Sequence, residues 1–242
     1  MPTTWVLIPS RMASTRFPNK PLADVGGKPM VVRVVEQAVK AGVGQVWVAA
    51  GDKEIADAVH EHGHNSVMTD AALANGSDRI WQAAQRLIGQ GHNAPDIIIN
   101  AQGDEPLLPP ELLTEAVAIL NANDDVDVVT FAHPIESEAD INNPTKVKAV
   151  TTGAGRALYF SRSPIPHGAA SMLRHIGFYA YRFKALEKYV STPPGELENI
   201  EKLEQLRGLE LGLHYHVATT HHEPIGVDTP ADLVAVQKLF KA

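Results

Sequence analysis

Cysteine is absent from this chain of 242 residues. Disulfides, thiol nucleophiles, cysteine-ligated zinc sites and iron–sulfur clusters are therefore excluded. Long apolar runs are missing too, because no stretch approaches the roughly 18–20 residues of a membrane span. The short apolar run 5–9 also lacks the preceding basic residues of a signal peptide. We expect a cytoplasmic protein that inserts no segment into a membrane.

Positive charge is scarce, with 21 Lys and Arg against 28 Asp and Glu and a formal net charge of −7. Proteins that bind nucleic acids or anionic membranes need a basic face, so we predict neither partner. Hydrophobic residues make up 44% of the chain, which is ordinary for a globular protein. The length suits one α/β domain over residues 1–242.

Short apolar runs alternate with helical patterns through the first hundred residues. The runs predict strands at 5–9, 46–50, 66–69 and 97–99, and the periodic segments predict helices at 29–41, 53–62 and 77–88. Continuous apolar strands separated by helices indicate an α/β fold with an open, mostly parallel sheet and helices on both faces.

The rhythm changes after about residue 131. Strand patterns at 147–150, 156–160 and 176–181 indicate a smaller β-rich lobe over 132–190. One helix is predicted over Glu196–Arg207, followed by a strand at 213–219 and a closing helix at 229–240. Ligands of open α/β sheets bind beyond the carboxyl ends of the strands, so the chemistry is expected there.

A basic loop follows the first strand directly. Arg11, Arg16 and Lys20 lie among three hydroxyl side chains, and the first acidic residue of the chain is Asp24. Guanidinium groups, an ammonium and loop amides together suit the phosphates of a polyanion. Neither G-x-x-x-x-G-K-[ST] nor G-x-G-x-x-G is present, and the alternative is a solvated loop without a ligand.

Two aspartates are candidate magnesium ligands. Asp104 follows the strand 97–99, at the edge where a carboxylate faces the ligand, and it precedes the next helix by too many residues to cap it. Asp228 precedes a helix that Thr229 caps and Asp232 completes as a capping box, so Asp228 is not needed for capping. Compensation of the helix dipole, at about 0.3–1 kcal/mol, remains an equal alternative for Asp228.

The motifs around these residues form a resemblance. P-S-R-x-x-S-T-R-x-P-x-K-P at 9–21, Q-G-D-E-P at 102–106 and V-D-T-P-x-D-L at 227–233 are similar to motifs of sugar nucleotidyltransferases. They look most like the 3-deoxy-manno-octulosonate (Kdo) cytidylyltransferase family, whose fold is the Rossmann-related nucleotide-diphospho-sugar transferase fold. The resemblance covers nearly the whole chain.

The resemblance implies an enzyme that transfers CMP from CTP to the anomeric hydroxyl of Kdo for lipopolysaccharide synthesis, with release of pyrophosphate. It implies that Mg²⁺ binds Asp104 and Asp228, and that the catalytic residues are Lys20, Arg11, Asp104 and Asp228. The implied nucleotide contacts are Pro9, Ser10, Arg11, Ser14, Thr15, Arg16, Lys20, Asn75, Gly76, Ser77, Arg79 and Asp104.

Three later motifs concern the sugar. Y-F-S-R at 159–162, R-H-x-G-x-Y-x-Y at 174–181 and E-x-L-E-Q-L-R at 201–207 also look like motifs of that family. Taken singly, they could be a surface ion pair, a core histidine and the polar face of a helix. The resemblance implies sugar contacts by Gln102, Gly103, Arg162, His175, Gly177, Tyr179, Glu204 and Gln205. It further implies a homodimer built through the β-rich region.

One segment departs from the family pattern. H-x-S-G-T-E-R is replaced by Leu73–Arg79, in which only Gly76 and Arg79 are unchanged. The segment therefore leaves the choice of base and of sugar open, and 8-amino-Kdo and sialic acid are alternative acceptor sugars. A non-catalytic nucleotide-binding module on the same fold is the other alternative. The histidines at 60, 62 and 64 are not predicted to bind a metal, because residues two apart on a helix face different directions.

Overall fold

The computed structural model describes residues 2–13, 17–73, 75–223 and 225–240. It divides into two compact units, residues 1–117 with 224–242, and residues 118–223. The prediction of a single domain with a sugar-binding and dimerising region at 132–190 remains a prediction. All the described helices are too short or too polar to traverse a bilayer.

The first unit contains a parallel sheet. Its strands are β1 (Thr4–Ser10), β2 (Gln45–Ala50), β3 (Ser66–Met68) and β4 (Ile97–Asn100), in the order β3-β2-β1-β4. Every residue of β4 and nearly all of β1 are buried. Burial of alternate residues that point to opposite faces means that both faces of the sheet are covered, as the continuous apolar runs predict.

Helices follow these strands as the α/β prediction requires. They are α1 (Met30–Ala41), α2 (Lys53–Glu61) and α3 (Gly76–Gly89), with α9 (Pro230–Leu239) from the last segment of the chain. The helix α4 (Pro110–Ala122) contains the boundary between the two units. Predicted and observed ends differ by one or two residues, which is the usual ambiguity at frayed helix ends.

The second unit is richer in antiparallel pairing. It contains β5 (Val128–Ile135), β6 (Lys148–Thr151), β7 (Ala157–Ser161), β8 (Met172–Arg182) and β9 (Tyr215–Thr219). Strand β5 lies between β8, which is antiparallel to it, and β9, which is parallel. Strand β6 pairs antiparallel with both β7 and β8. Helices α5 (Glu138–Ile141) and α6 (Phe183–Val190) also belong to this unit.

The prediction of one continuous helix over Glu196–Arg207 is wrong. The segment forms two helices, α7 (Glu196–Glu201) and α8 (Gln205–Glu210), and Lys202 between them has a φ of 56°. The guanidinium of Arg162 donates hydrogen bonds to the carbonyl oxygens of Glu201 (2.8 Å) and Lys202 (3.1 Å). A cation that satisfies the last carbonyls of a helix stabilises an end at that point, although the apolar pattern continues.

The start of α9 agrees with the prediction. Thr229 is the N-cap, Pro230 occupies the first turn, and Asp232 completes a capping box with Thr229. The helix packs through Val236 into a small core that also contains Val25, Met30 and Val227. This core packs α9 against the residues that follow the basic loop.

Candidate active site

The carboxyl ends of the parallel strands meet at one edge of the first unit. Ser10 is in register with Ala50, and Leu7 with Asn100. A cleft of about 400 Å³ opens at this edge and is lined by Pro9, Ser10, Arg11, Ala13, Lys20, Pro21, Leu73, Asn75, Gly76, Arg79, Gln102, Gly103 and Asp104. Most of the predicted nucleotide contacts therefore line one cleft. Ser14, Thr15 and Arg16 lie outside the described residues.

Lys20 joins the two aspartates that the sequence singles out. Its Nζ lies 2.7 Å from Oδ2 of Asp104 and 3.6 Å from Oδ1 of Asp228. The Lys20 side chain is 15% exposed, whereas those of Asp104 and Asp228 are 34% and 52% exposed. Two carboxylates that are distant in sequence thus converge on one cation and still face solvent.

The backbone fixes this convergence. The amide of Val227 donates a hydrogen bond of 2.9 Å to the carbonyl oxygen of Asp104, and the side chain of Val227 is fully buried in the small core with Val25 and Met30. Asp228 follows directly and so is placed beside the turn that carries Asp104. The amide of Asp228 also donates to Oδ2 of Asp232, at 3.1 Å.

Gly103 is required by a close approach. A Cβ at this position would lie 2.7 Å from the carbonyl oxygen of Pro9, at the end of β1. No ordinary side chain fits that separation, so any substitution would displace the turn that carries Asp104 from the strand end. Glycine at this position thus permits a close backbone approach, with Pro9 as the neighbour.

The two arginines of the cleft differ in their surroundings. Arg11 is exposed and donates one hydrogen bond of 3.2 Å to the carbonyl oxygen of Leu73. Arg79 is 2% exposed and donates to the hydroxyl of Thr69 at 2.6 Å and to the carbonyl oxygen of Asp70 at 3.1 Å. Burial lowers the pKa of Arg79, and the charge of Arg11 adds to that effect. Arg79 shapes the cleft wall, whereas Arg11 presents charge to it.

Asn75 and Ser77 lie at the start of α3 and help to form its first turn. Asn75 is the N-cap of α3 and accepts a hydrogen bond of 2.8 Å from the amide of Asp78. Ser77 is fully buried. The first turn of α3 therefore presents its N-terminus at the cleft, where backbone amides favour an anion.

Sequence reasoning did not single out Asn100. Its side chain is fully buried, and within the described residues neither atom of its carboxamide has a hydrogen-bond partner. A Cβ on Gly76, which lines the cleft, would lie 3.8 Å from its Nδ2. A polar residue at the end of an otherwise apolar strand, Ile97–Ile99, was the available signal.

In the second unit, Arg162 is already engaged by the protein. Besides its bonds to the end of α7, its guanidinium donates to the carbonyl oxygen of Pro144 at 3.0 Å, and its amide donates to Oε2 of Glu201 at 3.0 Å. The neighbouring Lys148 is fully buried and donates to three carbonyl oxygens, those of Asn143, Lys146 and Arg162. Both cations support turns of the unit.

His175 and Tyr179 belong to an aromatic cluster. The His175 ring lies 4.9 Å from that of Phe160 and 5.5 Å from that of Tyr179, and its Nε2 is 2.9 Å from the hydroxyl of Thr130. Burial lowers the pKa of His175 to about 3, so the ring is neutral at pH 7. Burial raises the pKa of Tyr179, and the charge of Glu204 raises it further.

The remaining predicted sugar residues divide between the units. Gln102 and Gly103 line the cleft of the first unit. Gly177 lies on β8, Glu204 is partly buried just before α8, and Gln205 begins α8 with 4% exposure. Their predicted contacts with a sugar remain predictions.

Among the described residues, no three acidic or histidine side chains are grouped as ligands for a metal ion. The rings of His60 and His62 contact different groups, the hydroxyl of Ser66 and the carbonyl oxygen of Ala58. The carboxylates of Asp104 and Asp228, which meet at Lys20, are the residues that could hold a metal ion there.

Comparison with known proteins decides the family. A family profile described as cytidylyltransferase matches residues 5–216. The chain belongs to the cytidylyltransferase family. It is a nucleotidyltransferase of the α/β fold with a mostly parallel open sheet, as the strand pattern and the motifs predict.

Named members of the cytidylyltransferase family are similar over nearly the full chain. A 3-deoxy-manno-octulosonate cytidylyltransferase of Paramagnetospirillum magneticum is 47% identical, with 99% of this chain and 98% of the relative covered. One from Parvibaculum lavamentivorans is 50% identical, with 94% and 89% covered. The solved structure of a CMP:2-keto-3-deoxy-manno-octonic acid synthetase complexed with CTP is 37% identical, covers 99% of this chain and 98% of its own, and has a TM-score of 0.92.

Proposed function

We propose that this cytidylyltransferase transfers CMP from CTP to the anomeric hydroxyl of 3-deoxy-manno-octulosonate and releases pyrophosphate. The observation that carries the proposal is the convergence of Asp104 and Asp228 on Lys20, within 2.7 and 3.6 Å, beside a cleft at the carboxyl edge of a parallel sheet. The similarity to enzymes named for this reaction supports the choice of nucleotide and sugar.

The cleft suits a triphosphate. Arg11 is exposed beside it, Lys20 lines it, and the N-terminus of α3 adds backbone amides. These groups carry positive charge where the β- and γ-phosphates would lie, and those phosphates become the leaving group. Stabilisation of a departing pyrophosphate by fixed cations is the electrostatic contribution that phosphoryl transfer needs.

The pair of aspartates fits Mg²⁺. Both are hard oxygen donors, they already share one cation, and magnesium is commonly held by one or two carboxylates together with substrate phosphates. When bound, Mg²⁺ would neutralise charge on the α-phosphate and make the attacking hydroxyl more acidic. Asp104 and Asp228 would hold the ion, and Lys20 would keep the two carboxylates close together despite their repulsion.

The reaction is a single displacement. The anomeric oxygen forms a bond to the α-phosphorus, and the bond between that phosphorus and the oxygen bridging to the β-phosphate breaks. The electron pair leaves with pyrophosphate, and the proton of the sugar hydroxyl passes to solvent. We assign no residue as a separate base, so positioning and charge are the protein's contribution.

Gln102 and Arg162 are candidates for recognition of the sugar. Gln102 lines the cleft and can offer both a donor and an acceptor to a hydroxyl. The guanidinium of Arg162 serves three carbonyl oxygens, so a sugar carboxylate would have to compete with them. The departure at Leu73–Arg79 keeps 8-amino-Kdo and sialic acid in the test.

The test is pyrophosphate release from each of four nucleoside triphosphates with Kdo, 8-amino-Kdo or sialic acid, with and without EDTA. We expect release that depends on CTP, on Kdo and on free divalent metal. Faster release with another acidic sugar would replace the acceptor. Binding of CTP without any release would reject the enzyme in favour of a nucleotide-binding module.

A further inference from the structure

Asp52 is at a helix start but does not cap the helix. It is the N-cap residue of α2, with an extended backbone (φ −138°, ψ 144°), and its side chain makes no capping hydrogen bond. An aspartate at an N-cap ordinarily accepts a hydrogen bond from the second or third amide of its own helix. Here the carboxylate is directed elsewhere.

The carboxylate instead binds the basic loop. Oδ2 of Asp52 accepts a hydrogen bond of 2.7 Å from the backbone amide of Met12, the residue after Arg11. This contact is partly buried and joins positions 40 apart in sequence. It fixes the loop two residues after the end of β1, close to the point where the chain leaves the sheet.

Neighbouring contacts reinforce the same junction. The amide of Gly51 donates a hydrogen bond of 2.8 Å to the carbonyl oxygen of Ser10. A Cβ on Gly51 would lie 3.2 Å from the Cβ of Arg11 and 2.7 Å from a guanidinium nitrogen of Arg79. The negative charge of Asp52 therefore lies at a junction that also contains two arginines.

We propose that Asp52 is a positioning residue for the triphosphate: it holds the backbone at Met12, so that Arg11 meets the phosphates without first being ordered. The proposal rests on the proposed function, because it assumes that the loop binds phosphate. A loop held in its binding conformation avoids an entropic cost on association, so the effect should appear in binding.

Two substitutions separate this role from helix capping. Asp52→Asn keeps an oxygen that can accept from the Met12 amide but removes the charge. Asp52→Ser keeps a good N-cap for α2 but is too short to reach Met12. The control is Asp57→Asn on the same helix, an exposed residue whose carboxylate pairs only with Lys53 among the described contacts.

We expect Asp52→Ser to raise the dissociation constant and the KM for CTP about tenfold, while kcat and Tm stay near those of the parent protein. Asp52→Asn should retain affinity within about threefold, and Asp57→Asn should change nothing. Equal affinity in Asp52→Ser and the parent, or equal losses in the Ser and Asn variants, would overturn the proposal.

Inorganic tripolyphosphate, titrated with the same variants, separates this proposal from the proposed function. It carries no base or sugar, so its affinity should fall in Asp52→Ser even if the enzyme uses another nucleotide or acceptor. A normal response to tripolyphosphate together with no turnover of CTP and Kdo would reject the function and keep the positioning role. No binding of tripolyphosphate by the parent protein would reject the positioning role.

Discussion

Each unit contains a set of polar residues that belong to motifs of the same family. The two sets differ in how much of their hydrogen-bonding capacity the protein already uses. In the first unit, Asp104 and Asp228 share one ammonium and are 34% and 52% exposed. In the second unit, the guanidinium of Arg162 is taken by three carbonyl oxygens, and the imidazole of His175 packs among aromatic rings.

This difference indicates that a polar residue can belong to a motif for two reasons, either to bind a ligand or to support the fold. A group that still faces solvent can exchange its present partner for a ligand at little cost. A group whose donors already serve the protein loses those bonds if it turns to a ligand, and each such loss costs on the order of 1 kcal/mol. Substitutions in the first set should therefore change catalysis, and those in the second set should change stability.

The largest effect is expected at Asp104. Asp104→Asn should lower kcat about a thousandfold, equivalent to about 4 kcal/mol of lost transition-state stabilisation, while the free energy of unfolding changes little because the side chain is partly exposed. Steady-state kinetics and urea denaturation of the same preparation check both parts. Asp57→Asn is the matched control, and near-parental kcat in Asp104→Asn would remove the carboxylate from the mechanism.

Arg162 provides the opposite case. Arg162→Met should lower the free energy of unfolding by about 2–4 kcal/mol, because it leaves the carbonyl oxygens at the end of α7 without their donor. Urea denaturation measures this, with the exposed Arg156→Met as control. Unchanged stability together with a raised KM for the sugar would assign the guanidinium to the ligand and break the comparison.

The neutral state of His175 predicts a pH dependence. Its pKa is about 3 in the folded protein because of burial, and about 6.5 in the unfolded chain. As the pH falls below about 6.5, only the unfolded chain takes up the proton, so folding loses up to about 1.4 kcal/mol per pH unit until the pH approaches the folded pKa. Above pH 6.5 the group contributes no pH dependence.

Urea denaturation at pH 7.5, 6 and 5 tests this in the parent protein and in His175→Gln. The variant should lose less stability on acidification, by about 2 kcal/mol at pH 5. Parallel stability curves for the two proteins would show that the ring is protonated in the folded state and hence accessible, as a sugar-binding histidine would be.

The smallest effect is expected at the cap of α9. Thr229→Ala should cost about 1 kcal/mol of stability, because Thr229 accepts from the amide of Asp232 and donates to its carboxylate. A severalfold loss of kcat should accompany it, since Asp228 precedes the cap. Thr229→Ser keeps both bonds and should restore both quantities; a loss of stability without a loss of kcat would uncouple the cap from catalysis.

Much of the first unit is predictable because its signals are local. The apolar run 97–99 predicts a strand. The strand order places the carboxyl end of this strand, which Gln102 and Asp104 follow, at the same edge of the sheet as the basic loop after β1. The capping box at Thr229 is readable from a few consecutive residues. The family motifs, rather than any local pattern, predict that Asp104 and Asp228 lie together, and their shared contact with Lys20 is seen only in the folded chain.

The features that sequence reasoning missed depend on contacts between distant residues. Nothing near Lys202 reveals that Arg162 will take the carbonyls at the end of α7 and divide the predicted helix. Asp52 has the sequence position of an ordinary N-cap, and only the folded chain shows its bond to Met12. Side-chain type predicts the interactions that are possible, whereas the partners are selected by packing.

The attachment of Val227 to the turn at Asp104 has a consequence for biosynthesis. The ribosome makes the basic loop and the first aspartate early, but the second aspartate arrives only with the segment that also supplies Val227 and Val236. A nascent chain that has not yet released this segment can form the parallel sheet but not the paired carboxylates. Catalytic competence should therefore appear only after this segment has emerged, rather than growing with chain length.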